Sequence, residues 1–285
     1  MKKLKLWFKA FAVALLSFIT APAYADLSEI LASGKVKIGV GENFAPFSSL
    51  GDEGEHVGFD VDVAKLIAKD LGVELELIPI TSKQRIPYLE TDKADLVIAS
   101  MGANPGRAKS IWFSSAYAPF FSGAFAAEGL KIGAISDLSG YKVGLTAGTL
   151  EDLELTENAP AGTDIIRFGD NAATKSAFLS GQIDVIVTGN TVAAQMAADN
   201  SSLDISTKFI MKDSPCFIGI KKGNLDLLLW TNVFILHKTL GGDLNTLSEK
   251  WFGIHIIRIR HTKSQNLEGF WGILEFTGLT CIDKY

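Results

Sequence analysis

Arg107 carries the clearest chemical capacity in this sequence. A guanidinium presents a planar pair of N–H donors that matches a carboxylate, and a charge-assisted bond of this kind is worth about 1.5–3 kcal/mol. Arg107 follows Asn104-Pro105, which reads as the capped start of a short helix, so on spacing alone a surface arginine is the plainer reading. Gly148-Thr149 is a second candidate. The pair opens a helix, and N–H groups at a helix start attract anions; an ordinary Thr N-cap is the alternative. Asp60 and Asp62 are not a catalytic pair: Asp60 fits helix capping and Asp62 a surface position. Phe44 and Phe47 bracket Pro46, and aromatics in such places are usually buried. The four histidines (56, 237, 255, 261) show no ligand spacing, and Cys216 and Cys281 are too few for a disulfide scaffold or a zinc cluster. No metal site, cofactor or catalytic residue is expected.

The elements that must position these residues follow a β–α alternation. Strands are predicted over 35–40, 74–80, 95–100, 142–146, 164–168, 184–188 and 216–220. Most are almost continuous in Val, Ile and Leu, as strands covered on both faces are. Helices are predicted between them. In one, Val63, Leu66, Ile67 and Leu71 recur at helical spacing before Gly72 stops it. Others cover 84–92, 174–179 and 225–240, the last apolar on most sides and therefore expected to be well buried. The alternation predicts an α/β fold with largely parallel sheets. There is also an internal echo. Lys35-Val-Lys-Ile-Gly-Val matches Tyr141-Lys-Val-Gly-Leu-Thr, and Lys93-Ala-Asp-Leu-Val-Ile-Ala matches Gln182-Ile-Asp-Val-Ile-Val-Thr. Two copies of one β-α-β-α-β plan point to two similar lobes.

The ends differ from this body. Lys2, Lys3, Lys5 and Lys9, an apolar run over 10–19 and Ala23-Tyr24-Ala25 form a secretory leader, with the cut predicted between Ala25 and Asp26. Its apolar core is shorter than the roughly 20 residues a spanning helix needs. The whole chain has a formal charge of −5; without the four leader lysines it is near −9. An acidic surface argues against nucleic acid or an anionic membrane as partner. Residues 254–285 form an atypical C-terminal tail with four basic and three acidic residues and no clear period. A shifted reading frame or a genuine extension would both produce it.

Several segments, in order, resemble the polar amino-acid-binding periplasmic proteins of ABC importers, solute-binding protein family 3. They are Lys37-Ile-Gly-Val with Asn43-Phe-Ala-Pro-Phe, Val57-Gly-Phe-Asp-Val-Asp-Val-Ala, Arg85-Ile-Pro-Tyr-Leu, Asn104-Pro-Gly-Arg107, Ala147-Gly-Thr149 and Trp251-Phe-Gly253. The resemblance implies the type II periplasmic clamshell: lobe 1 from 26–119 plus 217–253, lobe 2 from 120–216, each a mostly parallel sheet flanked by helices. Ligand would lie in the cleft, where strand ends meet in open α/β sheets. It implies that Arg107 binds the carboxylate of an amino acid. The turn Ser100-Met101-Gly102 would offer backbone contacts, Gly148 and Thr149 would grip the same carboxylate from the second lobe, and Phe44 would pack on the ligand. Some binders of acidic amino acids carry Arg-Ile-Pro at Arg85, which would supply a second arginine. One departure stands out. Where many relatives place an Asp for the ligand ammonium, this chain has Gly189 followed by Asn190, so Asn190 or Glu151 must compensate or the ligand is not a standard α-amino acid. The implied partner is an inner-membrane permease, and the implied state a monomer in the periplasm. Two other functions remain on this fold: a dehydratase of cyclohexadienyl acids, with Glu151 as the nearby acid–base candidate, and a ligand-sensing module for a membrane receptor.

Overall fold

The computed structural model describes residues 27–255. The leader, His261, Cys281 and residues 256–285 of the tail lie outside that range. The chain runs α1 (Leu27–Ser33), β1 (Lys35–Gly41), β2 (Ser49–Leu50), β3 (His56–Val57), α2 (Phe59–Leu71), β4 (Glu74–Ile80), α3 (Arg85–Glu90), β5 (Leu96–Gly102) and β6 (Ile111–Ala118). It continues as β7 (Phe121–Ala127), β8 (Lys142–Thr146), α4 (Leu150–Asn158), β9 (Asp164–Phe168), α5 (Asn171–Leu179), β10 (Val185–Gly189) and α6 (Asn190–Asp199). It returns through β11 (Ile205–Asp213) and β12 (Cys216–Lys221), and the described part closes with α7 (Leu225–Gly241) and α8 (Asp243–Phe252).

Two five-stranded sheets result, ordered β4-β1-β5-β12-β6 and β11-β7-β10-β8-β9. The chain leaves the first sheet after Ala118 and re-enters it at Cys216. Both sheets are mixed rather than largely parallel. In the first, β4, β1 and β5 pair in parallel and β12 is antiparallel to β5 and β6. In the second, β10, β8 and β9 pair in parallel while β7 is antiparallel to β10 and β11. The antiparallel half of each sheet is built from the strands that cross between the lobes. Three of these, β6, β7 and β11, were not marked by the sequence pattern.

The internal echo is physical. Asp95 Oδ2 accepts the Lys37 N–H at 2.7 Å while its own N–H donates to Lys37 O. Asp184 Oδ2 accepts the Lys142 N–H at 2.8 Å while its own N–H donates to Lys142 O. Each aspartate clips the start of one parallel strand to its neighbour.

Helix α2 buries Val63, Ala64, Ile67 and Leu71, a stripe at 3.6-residue spacing. Gly72 ends it in the left-handed conformation. At its start Gly58 has φ 136, and a Cβ there would stand 2.2 Å from Phe47 O, so only glycine lets the 44–47 turn lie against the helix. Phe47 and Phe59 then pack at tilted angles against Phe252, with centroids 4.9 and 4.7 Å away, which ties α8 into the first lobe's core.

Helix α7 departs from expectation. It buries Leu227, Thr231, Phe234 and Ile235, but Leu225, Leu229, Val233, Leu236 and Leu240 are each more than half exposed. It lies on the outside of the first lobe against β6 and α8, so only one face is covered.

Candidate functional site

The cleft lies between the strand ends of the two lobes. On the first lobe, the turn expected over Ser100-Met101-Gly102 is instead the cleft end of β5, with an irregular backbone at Ser100, whose φ of 43 is unusual for a residue with a side chain. Asp60, the second residue of α2 and fully buried, holds it there: its Oδ2 accepts the Ser100 N–H at 2.8 Å and its Oδ1 accepts the Tyr117 hydroxyl at 2.7 Å. Burial pushes the Asp60 carboxyl up to about 7, against the opposing pull of Tyr117, Ser100 and the Arg85 charge. Asp60 therefore supports the cleft end of β5 from inside the lobe; the cap position belongs to Gly58, and no side chain caps it. Asp62 is also anchored, accepting from Lys250 Nζ at 2.7 Å and Trp251 Nε1 at 2.9 Å.

Arg85 begins α3, after a turn over Ser82–Gln84 that is fixed by reciprocal bonds between Thr81 and Gln84. It is 6% exposed, and its Nε has no hydrogen-bond partner. Burial lowers its pKa, and the charges of Glu151 and Asp60 work against that shift. A buried guanidinium with an unused donor has the capacity to donate to an anion that enters the cavity. Arg107 stands in the short 3-10 turn Arg107–Lys109, whose start is fixed by the Asn104 Oδ1 acceptor at 2.7 Å. Its Nη1 donates to Gly102 O at 2.8 Å, and its Nη2 crosses to the second lobe and donates to Gly148 O at 2.9 Å. Burial and then the nearby Arg85 charge lower its pKa to about 10. An anion between the two guanidiniums would relieve that repulsion.

On the second lobe, Thr149 caps α4: its hydroxyl oxygen accepts the Asp152 N–H and donates to Thr146 O. The Gly148 N–H, expected to meet a ligand anion, already donates to Asp152 Oδ2 at 2.9 Å. Glu151, the second residue of α4, is buried and shares a narrow cavity with Arg85 and Arg107.

Of the residues singled out in the sequence, Phe44, Arg85, Ser100, Gly102, Arg107 and Thr149 line this inner cavity. Met101 and Gly148 line an adjoining opening, again beside Arg85 and Arg107. Asn190 is not among the lining residues; its Oδ1 accepts the Phe121 N–H at 3.2 Å beside the crossover. The cavity also draws on Phe120, Asn171 and Ser214, which no sequence pattern marks. Phe120 explains Gly189: a Cβ at 189 would lie 2.0 Å from the Phe120 ring. The space an aspartate would need is filled by an aromatic from the crossover. Gly102 is similarly constrained, since a Cβ there would meet Leu150 and Ser214 at 2.3 and 2.4 Å. Among the described residues there is no cluster of His, Cys, Asp and Glu able to hold a metal, and no helix long and apolar enough to cross a membrane.

Residues 36–254 match the model of the bacterial extracellular solute-binding proteins, family 3. The chain is 30% identical over 252 residues to the L-cystine-binding protein TcyJ of Escherichia coli (strain K12), covering 87% of this chain and 94% of that protein. It is 32% identical over 202 residues to the ABC transporter glutamine-binding protein GlnH of Bacillus subtilis (strain 168), covering 70% and 73%. A similar solved structure is that of an ancestral amino acid-binding protein, a precursor of cyclohexadienyl dehydratase. It shares 32% identity and a TM-score of 0.73, and the match covers 79% of this chain and 99% of that one.

Proposed function

The chain belongs to the bacterial extracellular solute-binding proteins, family 3, and from that premise we propose that it is the exported amino-acid-binding component of an ABC importer, with a preference for an acidic amino acid. Buried Arg85, with its unpartnered Nε beside Arg107, is the observation that carries the ligand assignment. A ligand with two carboxylates and one ammonium complements two guanidiniums and the Glu151 carboxylate group for group. Glu151 takes the ammonium, the task that Gly189 has no side chain to perform. Arg107 already touches both lobes, so a carboxylate held there would engage both and favour the closed form, because only differential affinity shifts a conformational equilibrium. The leader is cut between Ala25 and Asp26, and the mature protein works in the periplasm as a monomer that delivers to an inner-membrane permease.

The test is isothermal titration of the mature protein, stripped of any retained solute, with glutamate, aspartate, cystine, glutamine, arginine and leucine. Glutamate or aspartate should bind most tightly. Arg85→Ala should weaken that binding about 10- to 150-fold, equivalent to one charge-assisted bond. Binding of leucine or arginine in preference to both acids would sink the acidic assignment. One observation favours a second reading: Glu151 is buried beside Arg85 in the cavity, where a general acid or base would act on a bound carboxylic acid. Incubation with prephenate or arogenate, followed by product absorbance, separates an enzyme from a carrier.

A further inference from the structure

The cleft has two compartments of different character, and Arg85 and Arg107 line both. The inner cavity has a volume of about 20 Å³ and Glu151 in its wall, which is room for about one water molecule. The outer chamber has a volume of about 290 Å³ and no acidic residue in its wall; small-molecule pockets begin at roughly 300 Å³. Its polar residues are Ser82, Lys83 and the two arginines, while Ile86, Met101 and Leu153 supply an apolar side. Ser82 is 8% exposed, and its Oγ, like Arg85 Nε, has no hydrogen-bond partner among the described residues. Reciprocal bonds between Thr81 and Gln84 hold the backbone around Ser82. Lys83 is exposed and lies against Gly148 of the second lobe, where a Cβ would stand 2.8 Å from Lys83 Cγ.

We propose that the outer chamber is the subsite for the ligand's distal carboxylate, and that it selects an α-amino acid whose acidic side chain is at least as long as that of glutamate. The proposal rests on the acidic-amino-acid reading above and adds Ser82 and Lys83 to it. With the ammonium at Glu151 and the α-carboxylate at Arg107, the inner cavity has no volume left for a side chain, so the side chain extends past Arg85 into the chamber. There the distal carboxylate accepts from Arg85 Nε and the Ser82 hydroxyl, two buried donors that no protein acceptor uses, and Lys83 adds charge from the solvent side. The methylenes in between lie along Ile86, Met101 and Leu153. Each methylene buried strengthens binding about fourfold, so the chamber favours glutamate over aspartate and α-aminoadipate over glutamate. A neutral chain of the same length leaves both donors unmet.

Isothermal titration of the solute-stripped mature protein with aspartate, glutamate, α-aminoadipate and norleucine tests it. Affinity should rise about fourfold at each step from aspartate to α-aminoadipate, with norleucine the weakest. Ser82→Ala should weaken glutamate and α-aminoadipate about 10- to 150-fold, the range for a hydrogen bond to a charged group, and leave norleucine within about twofold. Its thermal midpoint without ligand should hold or rise, because the hydroxyl removed has no protein partner. Lys83→Met, at an exposed position, should cost the acids about two- to fivefold, a loss that fades in about 0.5 M salt. Unchanged glutamate affinity in Ser82→Ala would overturn the chamber proposal, as would a fall in affinity from aspartate to α-aminoadipate; in either case acids that still bind best, and weaken in Arg85→Ala, leave the acidic reading standing. Equal losses for norleucine and the acids in Ser82→Ala would reduce Ser82 to shaping the cleft and overturn it too. Norleucine binding more tightly than all three acids would overturn both readings.

Discussion

Helices α2 and α4 open on the cleft from opposite lobes, and each carries an acid as its second residue that is turned inward. Asp60 on α2 is fully engaged, accepting from Ser100 and Tyr117. Glu151 on α4 is buried in the cavity wall, and its charge reaches Arg85 without a salt bridge among the described residues. The same position in a repeated plan has thus taken two roles. In the first lobe the acid fixes the backbone at the cleft end of β5; in the second it lines the cavity beside the two arginines. Repetition of fold does not carry repetition of chemistry.

The largest effect expected from this contrast is a pH dependence that belongs to Asp60. Burial raises its folded pKa to about 7 from the ordinary carboxylate value of 3.8, so the folded state holds the proton more tightly than the unfolded chain. The stability this contributes is complete below pH 3.8 and is lost as pH rises through about 7. The linkage amounts to about 4 kcal/mol at most. Asp60→Asn keeps the shape and removes the titration. Its Tm profile between pH 4 and 7 should lack a downward slope that the parent shows; parallel profiles would remove Asp60 as the source.

A second way to press the comparison is to restore the carboxylate at the end of β10. Gly189→Asp would drive a side chain into the Phe120 ring, which a Cβ at that position would already approach to 2.0 Å. Overpacking together with a buried, unpaired charge should destabilise by about 3 kcal/mol, read as a lowered denaturation midpoint. In a Phe120→Ala background the loss should shrink, since the aspartate then has room. An unchanged loss there would mean that Phe120 is not the obstacle.

The sequence made the parallel strands legible for a physical reason, whereas the two cleft arginines stood out only through the family resemblance, Arg107 on spacing alone reading as a surface residue. Strands buried on two faces are nearly continuous in β-branched residues, and the Asp95 and Asp184 clips recur at matching places in the echo. The strands β6, β7 and β11 were hidden because they are mixed in character, with sequences such as Phe121-Ser-Gly-Ala-Phe-Ala-Ala and a half-exposed Ile205–Asp213. Glu151 was ambiguous because an acid in the first turn of a helix also complements the helix dipole. Phe120 and Gly189 had no local signal at all, because their contact joins residues 69 positions apart in the chain. Apolar composition also misled at α7, where it was read as burial although the lobe covers only one face.

The smallest effect separates capping from ligand contact at the second lobe. Thr149 caps α4 through the Asp152 N–H at 3.3 Å and lines the cavity as well. Thr149→Ala should cost about 1 kcal/mol of stability through the lost cap, visible in urea unfolding without ligand. Thr149→Ser retains the hydroxyl and should recover that stability. If capping is the whole role, ligand affinity in Thr149→Ala will fall no further than a loosened first turn of α4 explains, and Gly148 will still accept from Arg107. If the hydroxyl also meets the ligand, the affinity loss in Thr149→Ala will exceed the loss in stability and Thr149→Ser will restore it. The same pair of measurements on Glu151→Gln completes the contrast with Asp60: a loss of affinity with little loss of stability is what a ligand-facing acid predicts, and the reverse is what a second structural acid would give.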